Sequence, residues 1–436
     1  MPVTWNEQTA AHLYRRAGFG STAAELADAV RDGLQVTVDR LVNYETVSND
    51  ALDHRLAAMK LVTVWPNPFR LTDAHRWIMT RMIYTARPLE ERMVFFLHNH
   101  FATNWMKFME SDWLVYQNET LRTYATGNFQ RLLVAIAQDV AMQLWLDNAD
   151  SVKDHPNENF GRELLELFTL GRGNYAESDV ITAARAFTGW NLTAPFGIYY
   201  YQYRDEQHDH GMKTFMGQTA DWDGTDVIRI ICAQFSHARF LAAKLFAWFA
   251  YDDPEPALVD RLARVYYDNG TELKPLITAI LTSDEMYSPR AMWTKVKSPI
   301  EHVVMTYRML ELESEVPNTV TNLRSQGQVP FEPPSVEGWP SGTDWMTSVA
   351  LLNRMNFANA AVAQFDPLTF GIPSTGEELV DLYLQRLGPL TLAPEVHRHL
   401  VDYVAPGGTL PRGTALLTRA RGLAHMILSL PEWQMV

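Results

Sequence analysis

HPNENFGRELLELFTLGRG, residues 155–173, is the stretch on which the fold turns. Asn157 suits a helix N-cap, Glu158 the positive end of the helix dipole, and Gly171 a C-terminal stop. The helix between these signals runs from Glu158 to Leu170. With 3.6 residues per turn and Phe160 set at 0°, Leu167 falls at about −20°, Leu164 at about +40° and Leu170 at about −80°. These positions form one apolar stripe. On the same wheel Glu163 sits at about −60°, inside the stripe, while Asn159 and Glu166 lie on its edge at about −100° and −120°. A carboxylate in an apolar stripe needs a cation, hydrogen-bond donors or a raised pKa. Two readings are open: an ion pair with an arginine of a neighbouring helix, or a carboxylate pair facing a cleft.

The same three- and four-residue spacing recurs on both sides, for example over Leu89–Phe101, Ala238–Phe249, Pro299–Leu312 and Gly413–Leu430. Alternating runs are scarce, and Ile198–Tyr203 (IYYYQY) is the best strand candidate. The expectation is an all-α fold, a single large helical domain with long irregular loops and at most a short β-hairpin. The irregular stretches are Asn191–Asp226 and the proline-rich Val329–Trp345 (VPFEPPSVEGWPSGTDW). Structureless loops of that length inside a domain tend to be functional. A break at Pro367–Pro373 suggests a main domain over 1–366 and C-terminal helices over 367–436, packed on the same core.

Composition narrows the function classes. The 436 residues hold 51 acidic and 37 basic side chains, a net charge of −14. Such a surface repels phosphate backbones and anionic lipid, so a general nucleic-acid binder is not expected. Cys232 is the single cysteine, which excludes an internal disulfide and any multi-thiolate metal site. The longest apolar run, FLAAKLFAWFAY (Phe240–Tyr251), is interrupted by Lys244. It is far short of the roughly 20 residues of a bilayer span, so it reads as a buried helix, with no membrane insertion. No apolar stretch follows a basic region near the start, and Arg15-Arg16 lacks the apolar segment that a twin-arginine signal requires. A cytoplasmic protein is the expectation, with export alongside a partner left open.

Three other groups could carry chemistry. In MVFFLHNHFATN (Met93–Asn104), a continuing helix would point His98 and His100 about 160° apart. An extended chain would instead project both imidazoles to one side, as a metal requires. The spacing does not choose. In EQHDHGMKTFMG (Glu206–Gly217), His208, Asp209, His210 and Lys213 cluster beside two glycines. A His-Asp pair serves proton transfer, and a lysine neutralises developing negative charge. Trp190, in FTGWN, and Trp339, in the proline-rich loop, could stack on sugar rings or pin their loops to the core. There is no nucleophile-elbow serine, phosphate-cradling loop or dinucleotide fingerprint.

These segments together resemble one bacterial family, the domain of unknown function 1800. The resemblance rests on AHLYRRAGFGSTAAEL (Ala11–Leu26), HNHFATN, NENFGRELLELFTLGRGNYAESDVITAARAFTGWN, HDHGMKTFMG, KSPIE (Lys297–Glu301) and PPSVEGWPSGTDWMTSVALLNRMN, in order from about Ala11 to Trp433. Asn104-Trp105 departs from the small residue usual after HNHFAT. The resemblance implies an all-α single domain and a co-encoded partner, a domain of unknown function 1501 protein, some of which are exported.

The family motifs coincide with His98, His100, Asn157, Asn159, Arg162, Glu163, Glu166, His208, Asp209 and Lys213. The leading expectation is a hydrolase of a glycan-like or polyhydroxylated substrate. Glu163 and Glu166, with Asp209 and His208, would be catalytic, and Asn159, Arg162, Trp190, Lys213 and Trp339 would bind substrate. A metal-dependent oxidoreductase or hydrolase is the alternative. There His98, His100 and Glu163 or Glu166 would hold a divalent transition metal (iron, copper or zinc). The non-enzymatic alternative is a binding or maturation partner. Either enzyme reading expects at least one of His98 and His100, at least one of Glu163 and Glu166, and at least one of His208 and Asp209 to line a single pocket.

Overall fold

The helix Pro88–His100 runs through the middle of the molecule, buried at every position but Asn99. Proline at its first position and Glu90 and Glu91 in its first turn suit its start. A helix buried all round must neutralise whatever charge it carries. Glu91 therefore takes a two-pronged contact from Arg122, both bonds at 2.8 Å. Arg92 pairs with Glu301 at 2.5 Å.

This helix joins two apolar cores. One gathers Leu89, Phe96 and Leu97 with the helices between Phe129 and Leu281; the other gathers Phe95 with residues from Ile300 to the C-terminus. Each fully buried Leu or Phe contributes on the order of 1.5–3 kcal/mol. The C-terminal helices Gly376–Arg386, Pro394–Val404 and Thr414–Ser429 share this second core with Ile300, Val303 and Phe357.

The computed structural model describes residues 3–59, 70–195, 198–313 and 318–436. Among the described residues it is all-α but for two antiparallel strand pairs. Trp190–Thr193 pairs with Tyr200–Tyr203, so the strand candidate forms one side of a hairpin, and residues 196–197 of its loop lie outside the described residues. A second hairpin, Lys213–Phe215 with Gln218–Ala220, occupies a stretch expected to be irregular. Its two-residue turn, Met216-Gly217, has positive φ at both positions (46° and 79°), the geometry that matches strand twist. Met-Gly is not a usual signal for that turn, which is why the hairpin was not legible.

Arg15 and Arg16 lie in the first helix, Glu7–Ala17, and both are buried. Arg16 donates to the carbonyls of Trp248, Phe249 and Ala250, capping the helix Phe235–Phe249. No described helix is long and apolar enough to cross a membrane.

Candidate functional site

The helix that opens at Glu158 does not stay α-helical. Asn157 caps it by accepting the Asn159 N–H at 2.8 Å, and the α-helix continues to Glu163. From Leu164 to Thr169 the turn widens to π geometry, with Leu170 N–H donating to the Leu165 carbonyl at 2.9 Å. A π-turn fits extra chain into each turn and so rotates the residues beyond it. Leu165, which lies off the predicted stripe, is fully buried, while Leu167 is only half-buried.

The widened turn leaves carbonyls that three side chains satisfy. His100 Nε2 lies 3.0 Å from the Phe168 carbonyl, and His237 Nδ1 lies 3.0 Å from that of Thr169. Lys244 Nζ approaches the Leu167 carbonyl at 3.4 Å. A carbonyl only accepts, so these imidazole nitrogens carry the protons. His100 Nδ1 is then a lone pair, and it receives a hydrogen bond from Lys244 Nζ at 3.0 Å. Burial, aided by the nearby lysine, holds the His100 imidazole well below its ordinary pKa. Burial also pushes Lys244 down to about 8.

His98 points elsewhere. The helix continues through both imidazoles, and His98 Nε2 accepts the Phe331 N–H at 3.1 Å. Its ring meets Phe331 and Trp339 edge to face, and burial lowers its pKa to about 4. His98 and His100 thus serve different partners on different sides of one helix, and that geometry does not let them share an ion.

The proline-rich loop is tied down along its length. Asn104 Nδ2 donates to the Pro333 carbonyl at 2.7 Å, and Trp105 N–H to that of Phe331 at 3.0 Å. Asn99 Oδ1 accepts the Trp339 N–H at 2.8 Å. Gly338 sits at φ +89° against Asn99, where a Cβ would lie 2.3 Å from Asn99 Oδ1. Only glycine fits such a close approach. The Asn104-Trp105 departure therefore has a structural use, as a clamp on this loop.

Beneath the loop lies a cavity of about 270 Å³. It is lined by Arg16, Arg92, Asn99, His100, Lys244, Trp248, Asp252, Lys295, Glu301, Glu337 and Trp339, among others. Neither Glu163 nor Glu166 lines it, nor do His208 and Asp209. Of the three pairs expected to converge, only the imidazoles reach this cavity, through His100.

Glu163 and Glu166 stand in opposed environments, and Glu163 feels the charge of Glu337 from the cavity lining. Glu163 is half-buried and has no hydrogen-bond or ion-pair partner among the described residues. Burial, followed by the neighbouring charges of Glu166 and Glu337, raises its pKa. Glu166 accepts from Tyr175 Oη at 2.7 Å and from Arg172 Nε at 2.5 Å, which lowers its pKa. Asn159 is exposed, and Arg162 pairs on the surface with Glu158 and Glu177.

The remaining residues sit around the hairpins. Trp190 is buried among Phe187 and Tyr201 in the core and offers no open face. His208 Nδ1 contacts the Thr188 carbonyl at 2.8 Å. Asp209 pairs with Arg185 at 2.6 Å and accepts the Gly211 N–H at 2.8 Å. Lys213, fully buried, pairs with Asp221 at 2.7 Å. His208, His210 and Asp221 bring one ligand atom each within 4.8 Å of one another. The Lys213 ammonium on Asp221 already supplies a cation there.

Arg16, Arg92, Lys244, Lys295 and Glu337 are the lining residues that motif reading passed over. A lysine inside FLAAKLFAWFAY was the available signal, because a charge in a buried apolar helix must meet something polar. No curated protein and no solved structure matches the chain. Residues 12–435 match the family described as "Protein of unknown function (DUF1800)", a match that takes in the capped π-turn, the HNH helix and the clamped loop. The chain belongs to the DUF1800 family.

Proposed function

We propose that the protein is a hydrolase acting by general acid–base catalysis at the rim of the cavity, on a glycan-like or polyhydroxylated substrate. Glu163 is the general acid and Glu166 the base or nucleophile. The observation that supports this reading is the opposed displacement of the two carboxyls. Glu163 is raised by burial and by Glu166 and Glu337, while Glu166 is lowered by Tyr175 and Arg172. Neighbouring titratable groups whose environments push them apart divide into acid and base roles. Glu337, which lines the cavity, acts on Glu163 and so links the proposed acid to that space.

The test is a pH–rate profile on a panel of chromogenic glycosides, for the natural chain and for Glu163→Gln. Loss of general acid catalysis lowers the rate by about 10²–10⁴-fold and removes the alkaline limb of the profile. A Glu163→Gln chain as active as the parent refutes the assignment. So does a parent that hydrolyses none of the panel.

A further inference from the structure

We propose that the cavity beneath the proline-rich loop is a binding site for a small molecule bearing a compact oxyanion, a phosphate or carboxylate group, held by Arg16, Arg92 and Lys244. The inference stands on the cavity alone and does not need the acid–base roles of Glu163 and Glu166.

Its first support is charge. Four cations line the cavity (Arg16, Arg92, Lys244 and Lys295) against the carboxylates Asp252, Glu301 and Glu337. Lys295 is taken by Asp252 at 2.8 Å and Arg92 by Glu301. Among the described residues Arg16 and Lys244 hydrogen-bond only carbonyls and an imidazole, with no carboxylate in contact. Behind the wall Lys297 and Arg354 are buried too, and Glu301 is the carboxylate acting on both. Four lining cations against three carboxylates, in a chain with net charge −14, leave a local positive excess that suits an anion.

The second support is hydrogen bonding. Arg16 Nη1 and Arg92 Nη2 make no hydrogen bond among the described residues, whereas every other nitrogen of Arg16's guanidinium does. Lys244 Nζ has three donors and two protein contacts. Open donors on Arg16, Arg92 and Lys244 select an oxygen-rich ligand, and the guanidinium forks suit phosphate or carboxylate.

Isothermal titration of the full chain tests this with inorganic phosphate and, separately, acetate, each against chloride at equal ionic strength. Saturable binding of either supports the site, and the preferred ion tells a tetrahedral from a planar group. Lys244→Gln should weaken that binding by about tenfold or more. Arg239→Gln, a surface cation paired with Asp260, should leave it unchanged. Glu337→Gln removes an exposed carboxylate from the rim without touching the core, and should tighten binding by about twofold. This rim variant keeps the test alive where Lys244→Gln does not fold. Absence of saturable binding to the natural chain, equal loss in Lys244→Gln and Arg239→Gln, or weaker binding by Glu337→Gln overturns the proposal.

Discussion

The cavity under the proline-rich loop and the hairpin region around His208 hold similar side chains, arranged to opposite effect. Around the hairpins charges meet their opposites: Asp209 with Arg185, buried Lys213 with half-exposed Asp221, His210 beside Asp205 and Asp221. Around the cavity Arg16 and Lys244 bind carbonyls and an imidazole in place of carboxylates, and each keeps a donor to spare. A cluster of polar residues in sequence therefore says little until the pairing is known. A closed set of pairs holds a loop in place, whereas a site keeps unmet demand.

The comparison is most exposed at Glu301. Burial alone would raise this carboxyl, but Arg92, the Ser298 N–H and Arg16 outweigh it and hold it at about 2. Glu301→Gln leaves Arg92 uncompensated and should cost about 3–5 kcal/mol by urea denaturation at pH 7. The folded value lies below the ordinary 4.5, so the stabilisation is present above that value and is lost as pH falls toward 2. A chain whose acid limb is unchanged by Glu301→Gln would break the contrast.

Next comes the loop anchor. Asn99→Ala strands the Trp339 N–H and should cost about 1–3 kcal/mol. Faster proteolytic cleavage within Val329–Trp345 is the local readout.

Asp209→Asn, in the hairpin region, should cost no more than about 1 kcal/mol, because both side chains of its pair are partly exposed. A loss as large as that of Glu301→Gln would erase the distinction between the two regions.

Glu163→Gln is the smallest effect and has the opposite sign. The folded pKa is raised, so the stability linked to this proton is full below the ordinary value and is lost as pH rises through the folded one. The variant should be more stable than the parent at pH 7, by at most about 1 kcal/mol after solvent screening, and gain nothing at pH 3. Destabilisation at pH 7 would mean that Glu163 is paired.

The helices were legible because a buried stripe imposes a 3.6-residue period that survives in any neutral substitution. Their packing was less so. The wheel drawn on Glu158–Leu170 assumed uniform rotation, and nothing in LLELFT announces a π-turn, since its residues are ordinary helix formers. The HNH spacing left two geometries open, and the outcome depended on Phe331 and Phe168, far away in sequence. Lys244 and Arg16 were visible as residues. Their exclusion as membrane or export signals hid the further question of what a buried charge does.

The capped π-turn has one more consequence, for the movement of protons. His100 offers a lone pair to Lys244 on one side and an N–H to a main-chain carbonyl on the other. That carbonyl cannot take the proton and pass it on, and His237 ends in the same way at Thr169. Neither imidazole is a wire. Protons reach the cavity instead through its solvent-facing groups, Glu337 at the loop that Asn99 anchors and Asp252 beside Lys295.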